Sequence, residues 1–146
     1  MTIVTAPQHR TDLLPAPPSL RRVHHVALIV SDYERSKRFY TEVLGYRVAA
    51  EHYRAERDSW KLDLTLAGCD TLELFSFPDP PARPSGPEAT GLRHLAFAVD
   101  DLDHAITALA AHAVQVEPVR VDPTTGRRYT FFPDPDGLPL ELYEEG

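Results

Sequence analysis

The chain has 146 residues, enough for one compact domain or for two half-sized units that share a core. Hydrophobic residues make up 42% and charged residues 25% of it, and no apolar run approaches the roughly 18 residues that span a bilayer, so we expect no membrane partner. With 15 Lys and Arg against 22 Asp and Glu, the net charge is −7, and this field argues against a nucleic acid partner.

Residues 1–21 contain four prolines and no sustained periodicity, and we interpret them as a flexible N-terminal arm. This arm lacks the basic start and continuous apolar stretch of a secretory signal. The only cysteine, Cys69, cannot form an internal disulfide and lies in a Gly-Cys-Asp turn without the surroundings of a nucleophile, so we predict a structural role for it. These features favour a cytoplasmic protein.

A first unit is predicted over residues 22–77. It begins with a β-rich run at residues 25–30, after which Ser31 and Glu34 form a capping box that predicts a helix to about residue 44. Gly45 is well placed to end this helix in a left-handed conformation. Three more β-rich runs follow, at residues 46–53, 60–66 and 71–77. The predicted order of elements is therefore βαβββ.

Residues 78–91 contain five prolines and are predicted to be a linker, because proline interrupts helices and central strands. The pattern then restarts as a second unit over residues 92–146. A strand at residues 92–99 precedes a helix that Asp100 or Asp101 caps and that extends to about residue 113. Three more strands are predicted at residues 114–121, 128–132 and 138–144.

The two units are an internal repeat. A shift of 69 residues places the run HVALIVSD, beginning at His25, on HLAFAVDD, beginning at His94, and it also places Trp60 on Tyr129. A shift of 68 places LELF on LELY, so one residue is gained or lost at the preceding turn. The repeat predicts an α+β fold of two βαβββ modules, which associate within one chain or between chains because neither buries a sheet face alone.

Each unit contributes one histidine and one glutamate at matching positions. The alternation of side chains along a strand places His25 and Glu73 away from the apolar face of the first unit. It places His94 and Glu141 in the same way in the second unit. A lone histidine or glutamate on a strand is usually solvated or hydrogen-bonded, but these pairs recur with separations of 48 and 47 residues.

We therefore predict that the four side chains line one metal site. Two imidazoles and two carboxylates suit a divalent Zn, Ni, Co, Mn or Fe ion, with coordination positions left for water or substrate oxygens. Five arginines are candidate anion-binding groups, with a solvated side chain as the alternative for each: Arg54, Arg57, Arg83, Arg93 and Arg128. Three aromatic residues are candidates for the pocket wall or for the core: Trp60, Phe75 and Tyr129.

Four segments resemble the vicinal oxygen chelate superfamily, which includes glyoxalase I, extradiol dioxygenases and bleomycin-resistance proteins: HHVALIVSD, LELFSF, GLRHLAFAVDD and FFPDPDGLPLELYE. The resemblance covers about residues 22–145, and the run YRAERDSWKLDL is similar to the YaeR-type glyoxalase-I-like subgroup. It implies a curved mixed sheet around a metal cavity in a homodimer. It also implies one divalent ion per site, Zn, Ni or Co before Mn or Fe, with four ligands: His25, Glu73, His94 and Glu141.

For glyoxalase I, a lyase of the lactoylglutathione lyase type, the resemblance implies proton transfer through a metal-stabilised enediolate. Either Glu73 or Glu141 is then the catalytic base, and the metal ligands can come from one chain or from two. Ile29 and Phe77 occupy positions where glutathione-dependent bacterial relatives commonly have arginine and asparagine. Apolar side chains cannot bind glutathione carboxylates, so we expect a small oxygen-chelating substrate instead.

Two other functions remain open for this scaffold. The first is a small-molecule binding protein, as in bleomycin resistance, although such proteins often lack the metal ligands. The second is an Fe(II) extradiol-type dioxygenase with three ligands, in which Glu73 would be incidental.

Overall fold

A computed structural model describes residues 15–68 and 70–146. Residues 1–14 of the predicted arm and Cys69 lie outside the described residues. Residues 15–25 form no helix or strand. None of the helices in the described part has the length and apolar character needed to traverse a bilayer.

The chain forms two four-stranded mixed sheets with the same topology, which confirms the predicted α+β fold of two βαβββ modules. The first sheet contains β1 (Val26–Val30), β2 (Arg47–Arg54), β3 (Ser59–Leu66) and β4 (Asp70–Ser76). The second contains β5 (Leu95–Val99), β6 (Arg120–Val121), β7 (Arg128–Pro133) and β8 (Pro139–Glu144). In each sheet the first strand pairs in parallel with the last, and the other pairs are antiparallel.

One helix follows the first strand of each sheet. In the first module α1 (Tyr33–Arg38) continues as a π-helical segment (Phe39–Val43), and Gly45 has the left-handed conformation that its position predicts, with φ of +81°. In the second module α2 spans Leu102–Ala111, two residues shorter than predicted. A short 3₁₀ turn (Ala55–Arg57) connects β2 to β3.

The first helix is capped by Asp32 and not by Ser31, so the predicted capping box is wrong. The Asp32 carboxylate accepts a hydrogen bond of 3.0 Å from the amide of Arg35. The amide of Ser31 donates to the carboxylate of Asp136 at 3.1 Å, and its hydroxyl contacts the same carboxylate. A contact with the second module therefore takes the side chain that the local pattern assigns to the cap. Asp101 caps α2, with its carboxylate 2.9 Å from the amide of His104.

The strand predicted at residues 114–121 is reduced to two residues, because only Arg120 and Val121 pair with β7 in a regular ladder. Pro118 has no amide hydrogen to contribute to a ladder. The carbonyl of Glu117 accepts instead from the hydroxyl of Thr130, at 2.7 Å. Side-chain competition and proline therefore shorten this edge strand.

Each sheet buries the face that packs against helices and leaves its other face open. The buried face of the first sheet includes Leu28, Leu62, Leu64, Leu72 and Leu74. On β1 the alternate residues Ala27 and Ile29 are exposed, as the period-two pattern predicts. We call this second side of each sheet its open face.

The strand register corrects one part of the repeat alignment. Lys61 is opposite Phe75 in the first sheet, and Tyr129 is opposite Tyr143 in the second. Lys61, not Trp60, is therefore the counterpart of Tyr129. The second module is one residue shorter than the first, and the difference lies before β3. This one-residue difference reverses the face that a side chain occupies.

Candidate metal centre

The first His–Glu pair lies on the open face of the first sheet. The parallel register of β1 and β4 places Ala27 opposite Glu73, and His25 directly precedes β1. The Nε2 atom of His25 is 3.4 Å from Oε2 of Glu73. The side chain of Glu73 is 13% exposed and that of His25 is 42% exposed, so the pair is accessible from the open side.

The second pair repeats this arrangement in the second sheet. Ala96 is opposite Glu141 in the parallel register of β5 and β8, and His94 directly precedes β5. The Nε2 atom of His94 is 3.0 Å from Oε2 of Glu141. The same local rule, a histidine before a parallel strand and a glutamate on its neighbour, therefore builds both pairs.

The structure brings His25 to Glu73 and His94 to Glu141, but it does not bring the two pairs together. Among residues 15–68 and 70–146, no group of three or more His, Cys, Asp or Glu side chains is arranged to hold a metal ion. Each pair presents one imidazole nitrogen and one carboxylate oxygen, donors that suit borderline divalent ions. Two donors are half of a four-ligand shell, so each pair is a half-site that fits such an ion only with further ligands.

The two half-sites adjoin different cavities. A cavity of about 400 Å³ adjoins His25 and is lined mainly by apolar side chains such as Val26, Leu72 and Phe97. A smaller one, of about 210 Å³, adjoins His94 and includes Arg120.

The surroundings of the first pair are charged. Nζ of Lys61 lies 3.2 Å from Oε1 of Glu73 and 2.9 Å from Oδ1 of Asp63. The hydrogen bonds that Lys61 makes, first with Asp63 and then with Glu73, hold its pKa above the ordinary lysine value. Neither neighbour is predicted by the sequence pattern above, although the alternation of side chains along β3, counted from the observed register, places both beside Glu73.

The surroundings of the second pair are aromatic. The ring of His94 meets that of Phe131 edge to face, with 5.1 Å between the ring centroids. Phe131 is opposite Glu141, and the neighbouring rings of Tyr129 and Tyr143 stack at 6.4 Å. The two half-sites therefore have the same ligands but different walls.

The matching His–Glu pairs on two equivalent sheets agree with a family assignment. The chain matches the model of the Glyoxalase/Bleomycin resistance protein/Dioxygenase superfamily over residues 22–142. The chain belongs to this superfamily. It is 60% identical over 126 residues to the uncharacterized protein YaeR of Escherichia coli (strain K12), covering 86% of this chain and 98% of YaeR. The crystal structure of a glyoxalase family protein from Enterococcus faecalis superposes with a TM-score of 0.80 at 51% identity, covering 85% of this chain and 98% of that one.

More distant superfamily members include enzymes and a binding protein. A 2-epi-5-epi-valiolone epimerase of Actinomyces sp is 34% identical over 146 residues, covering 86% of this chain and 80% of the epimerase. The trypanothione-dependent glyoxalase I of Leishmania major is 27% identical with a TM-score of 0.67, covering 86% and 88%. The antibiotic-binding protein TnmS3 of Streptomyces sp. CB03234 is 26% identical with a TM-score of 0.69, covering 89% and 100%.

In this superfamily member, the three aromatic residues that are candidates for the pocket wall lie on different faces of the sheets. Trp60 lies on the helix side of the first sheet, where it stacks on Tyr33 at 5.3 Å, so it is not on the face of the His–Glu pair. Phe75 lies on the open face of the first sheet, and Tyr129 on that of the second.

The five candidate arginines differ in their hydrogen-bond and ion-pair partners. Arg93 pairs with Glu88, and Arg128 pairs with Glu144 and Asp103. Arg83 donates to two backbone carbonyl groups, those of residues 92 and 93. Arg57 is exposed in the 3₁₀ turn, whereas Arg54 lies on the open face beside Phe75.

Proposed function

We propose that this protein is a metal-dependent, glyoxalase-I-like enzyme that moves a proton between adjacent carbons of a small oxygen-chelating substrate. The observation that carries this proposal is the pair of equivalent half-sites, His25 with Glu73 and His94 with Glu141. A strand glutamate has no structural need to recur beside a strand histidine, whereas a four-ligand ion needs two such pairs. Similarity to a glyoxalase I and to an epimerase supports this type of chemistry.

The proposed site forms in a homodimer, because one described chain presents only half-sites. His25 and Glu73 of one copy meet His94 and Glu141 of a second copy, and each dimer contains two such sites. Each site holds one divalent ion, Zn, Ni or Co in preference to Mn or Fe. The site would be incomplete without the second copy, so dimerisation is a condition for activity.

When bound, the ion supplies a Lewis acid that holds two neighbouring substrate oxygens and makes the adjacent C–H more acidic. The protein's own contribution is proton transfer: the carboxylate of Glu73 or Glu141 takes the proton from one carbon and returns it to the next. The ammonium of Lys61 holds one oxygen of Glu73 in place. The aromatic wall beside His94 limits the access of water to that side of the pocket.

The proposal does not include glutathione in the substrate. Ile29 lies on the open face and is 60% exposed, and Phe77 stacks near Phe75 with 6.4 Å between ring centroids. Neither side chain donates hydrogen bonds to carboxylates. The first sheet therefore offers apolar surface at two positions where a glutathione-binding site would need polar groups.

The test combines metal analysis with an activity assay. Protein purified without chelators is expected to hold about one divalent ion per chain, and His94→Ala is expected to lose it. His112→Ala, at the exposed end of α2, is the matched control and is expected to retain the ion. Methylglyoxal is then assayed with and without glutathione, and turnover is expected not to depend on the thiol. Metal-free native protein, or full activity of Glu141→Gln, would contradict the proposal.

A second candidate function is the binding of a small molecule without turnover. The apolar cavity of about 400 Å³ beside His25 and the similarity to the antibiotic-binding protein TnmS3 favour it. Tight binding of a ligand that survives removal of the metal would support this function over the enzymatic one. Oxygen consumption with catechols after iron loading would instead indicate a dioxygenase.

A further inference from the structure

Arg54 lies on the same open face of the first sheet as the His–Glu pair. It is opposite Ser59 in the register of β2 and β3. Two residues further along β3, Lys61 is opposite Phe75, and Asp63 is opposite Glu73. Alternate residues of a strand share a face, so Arg54 and Phe75 are on the side of Glu73.

The guanidinium group of Arg54 is held in one position. Its Cζ atom lies 4.9 Å from the ring centroid of Phe75 and 5.7 Å from that of Phe77, distances typical of cation–π contacts. Its Nη2 donates a hydrogen bond of 2.7 Å to the hydroxyl of Ser59, which is fully buried. A side chain that is already ordered loses less conformational entropy when it binds a ligand.

In the part of the chain that the structure describes, the positive charge of Arg54 has no acidic partner. Within the described residues no carboxylate oxygen lies within 4.0 Å of its guanidinium nitrogens, although four other arginines have such partners: Arg35, Arg93, Arg120 and Arg128. The Nε atom of Arg54 is buried and has no hydrogen-bond partner in this part of the chain. A partly buried cation without a counter-ion is costly unless an anion binds to it.

We infer that Arg54 binds a carboxylate of the substrate, so that the substrate of the proposed metal site is a small carboxylic acid. Phe75 follows Glu73 by two residues on one face, a distance of about 7 Å along a strand. The bound carboxylate is therefore on the order of 7–10 Å from the oxygens that chelate the ion. This inference rests on the proposed function for the claim that the other end of the substrate chelates a metal ion. The anion site at Arg54 does not depend on that function.

The charge balance favours a monocarboxylate over a phosphate. Lys61 is engaged by Asp63 and Glu73, so the guanidinium of Arg54 is the cation beside Phe75 that is left to neutralise the ligand. One such group matches a single negative charge and forms paired hydrogen bonds with a planar carboxylate. A phosphate dianion would retain a negative charge close to two carboxylates of the same face.

The probes for this inference are hydroxamates that carry a terminal carboxylate, HOOC–(CH₂)ₙ–CO–NHOH, together with their methyl esters and phosphonate analogues. The hydroxamate end chelates the ion and reports on the metal site, whereas the other end reports on Arg54. By calorimetry on the Co²⁺-loaded protein, the best acid is expected to bind about tenfold more tightly than its ester. Arg54→Gln is expected to abolish this difference, and Arg57→Gln, at an exposed arginine three residues away, to retain it.

Equal binding of acid and ester by the wild type would overturn the inference and leave the metal site intact. Preferential binding of the phosphonate would overturn the assignment of a monocarboxylate. A metal-independent measurement covers the case in which no hydroxamate binds and the proposed function fails. The ¹⁵N-edited Nε–H signal of Arg54 in metal-free wild-type protein is expected to shift saturably with butanoate and not with methyl butanoate. An unchanged signal would overturn the inference without relying on any variant.

Discussion

The hydroxyl of Tyr40 donates a hydrogen bond of 2.8 Å to the carboxylate of Asp134. Tyr40 lies in the helical segment of the first module and Asp134 in the turn between β7 and β8 of the second, and both are buried. Burial, and next the negative charge of Asp134, raises the pKa of Tyr40, so its hydroxyl remains protonated and donates at neutral pH. This hydrogen bond is part of the contact that sets the two modules against each other.

We expect Tyr40→Phe to lower the free energy of unfolding by about 1–3 kcal/mol, the cost of leaving a buried carboxylate one donor short. The cost stays moderate because the amides of Asp136 and Leu138 still donate to Asp134. Urea unfolding at pH 7 measures it. Tyr53→Phe is the matched control, since that hydroxyl bonds Asp58 at the surface, and we expect a change within about 0.5 kcal/mol. Equal losses in the two variants would contradict this prediction.

A mixed dimer tests whether the metal site is shared between chains. One chain carries His25→Ala with Glu73→Gln, and the other, with a different affinity tag, carries His94→Ala with Glu141→Gln. In an exchanged dimer one site loses all four ligands and the other keeps all four, so we expect about one ion per mixed dimer. Each variant purified with itself is expected to hold none.

The outcome of this mixing experiment is distinct for a site built within one chain. Every chain in the mixture then lacks one pair, and no ion would be retained in any combination. Metal analysis after purification over both tags measures the difference. Dimers of one variant carrying the two tags serve as the control for contaminating metal.

The two aspartates before α2 are predicted to differ in their effect on stability. We expect Asp101→Ala to cost about 1 kcal/mol, because its carboxylate caps the amide of His104. Asp100 is exposed and lies one residue earlier, so Asp100→Ala is expected to lower the free energy of unfolding by less than about 0.5 kcal/mol. Thermal and urea unfolding of both variants measure these costs, and a reversed order would show that the cap lies at Asp100.

Acid is predicted to remove a stabilising contribution of Glu144. The hydrogen bonds from Arg128, and then from the amide of Leu102, lower the pKa of Glu144 from its ordinary value of 4.5 to about 2. A carboxyl whose pKa is lower in the folded state stabilises the fold above the unfolded value, and this contribution is lost as the pH falls from 4.5 towards 2. We therefore expect the stability difference between wild type and Glu144→Gln to be larger at pH 6 than at pH 3.

Glu145→Gln is the control for this pH dependence, because that side chain is exposed at the next position. Its stability difference from the wild type is expected to vary little between pH 6 and pH 3. Urea unfolding curves at both values measure the effect. A constant difference for Glu144→Gln would show that the Arg128 contact contributes no pH-dependent stability.

The local features of each module were predictable because they depend on backbone geometry. Side chains alternate along a strand, so the exposure of Ile29 and the open-face position of Glu73 follow from the pattern of neighbouring apolar residues. Gly45 has the left-handed conformation expected after a helix. The superfamily followed from motifs within the two repeats, and the match over residues 22–142 confirms it.

Two features were not predictable in this way. One depends on the exact residue register of the repeat, and the other on competition between two hydrogen-bond partners for one side chain. The sequence pattern pairs Trp60 with Tyr129 because it does not show where the second module is one residue shorter than the first, and a slip of one residue reverses the face that a side chain occupies. Ser31 does not cap the first helix. Its amide and its hydroxyl contact the carboxylate of Asp136, 105 residues away in the chain, and Asp32 provides the cap.

Strand periodicity and an internal repeat are local properties of the chain, so the amino-acid sequence alone indicates that each module carries a histidine and a glutamate on one face. The separation of the two pairs in one described chain depends instead on how the modules pack. The placement of the modules depends on contacts such as Tyr40 with Asp134, which are 94 residues apart. No local pattern encodes such a contact, because it arises from the packing of one module's helix against the other module's turn.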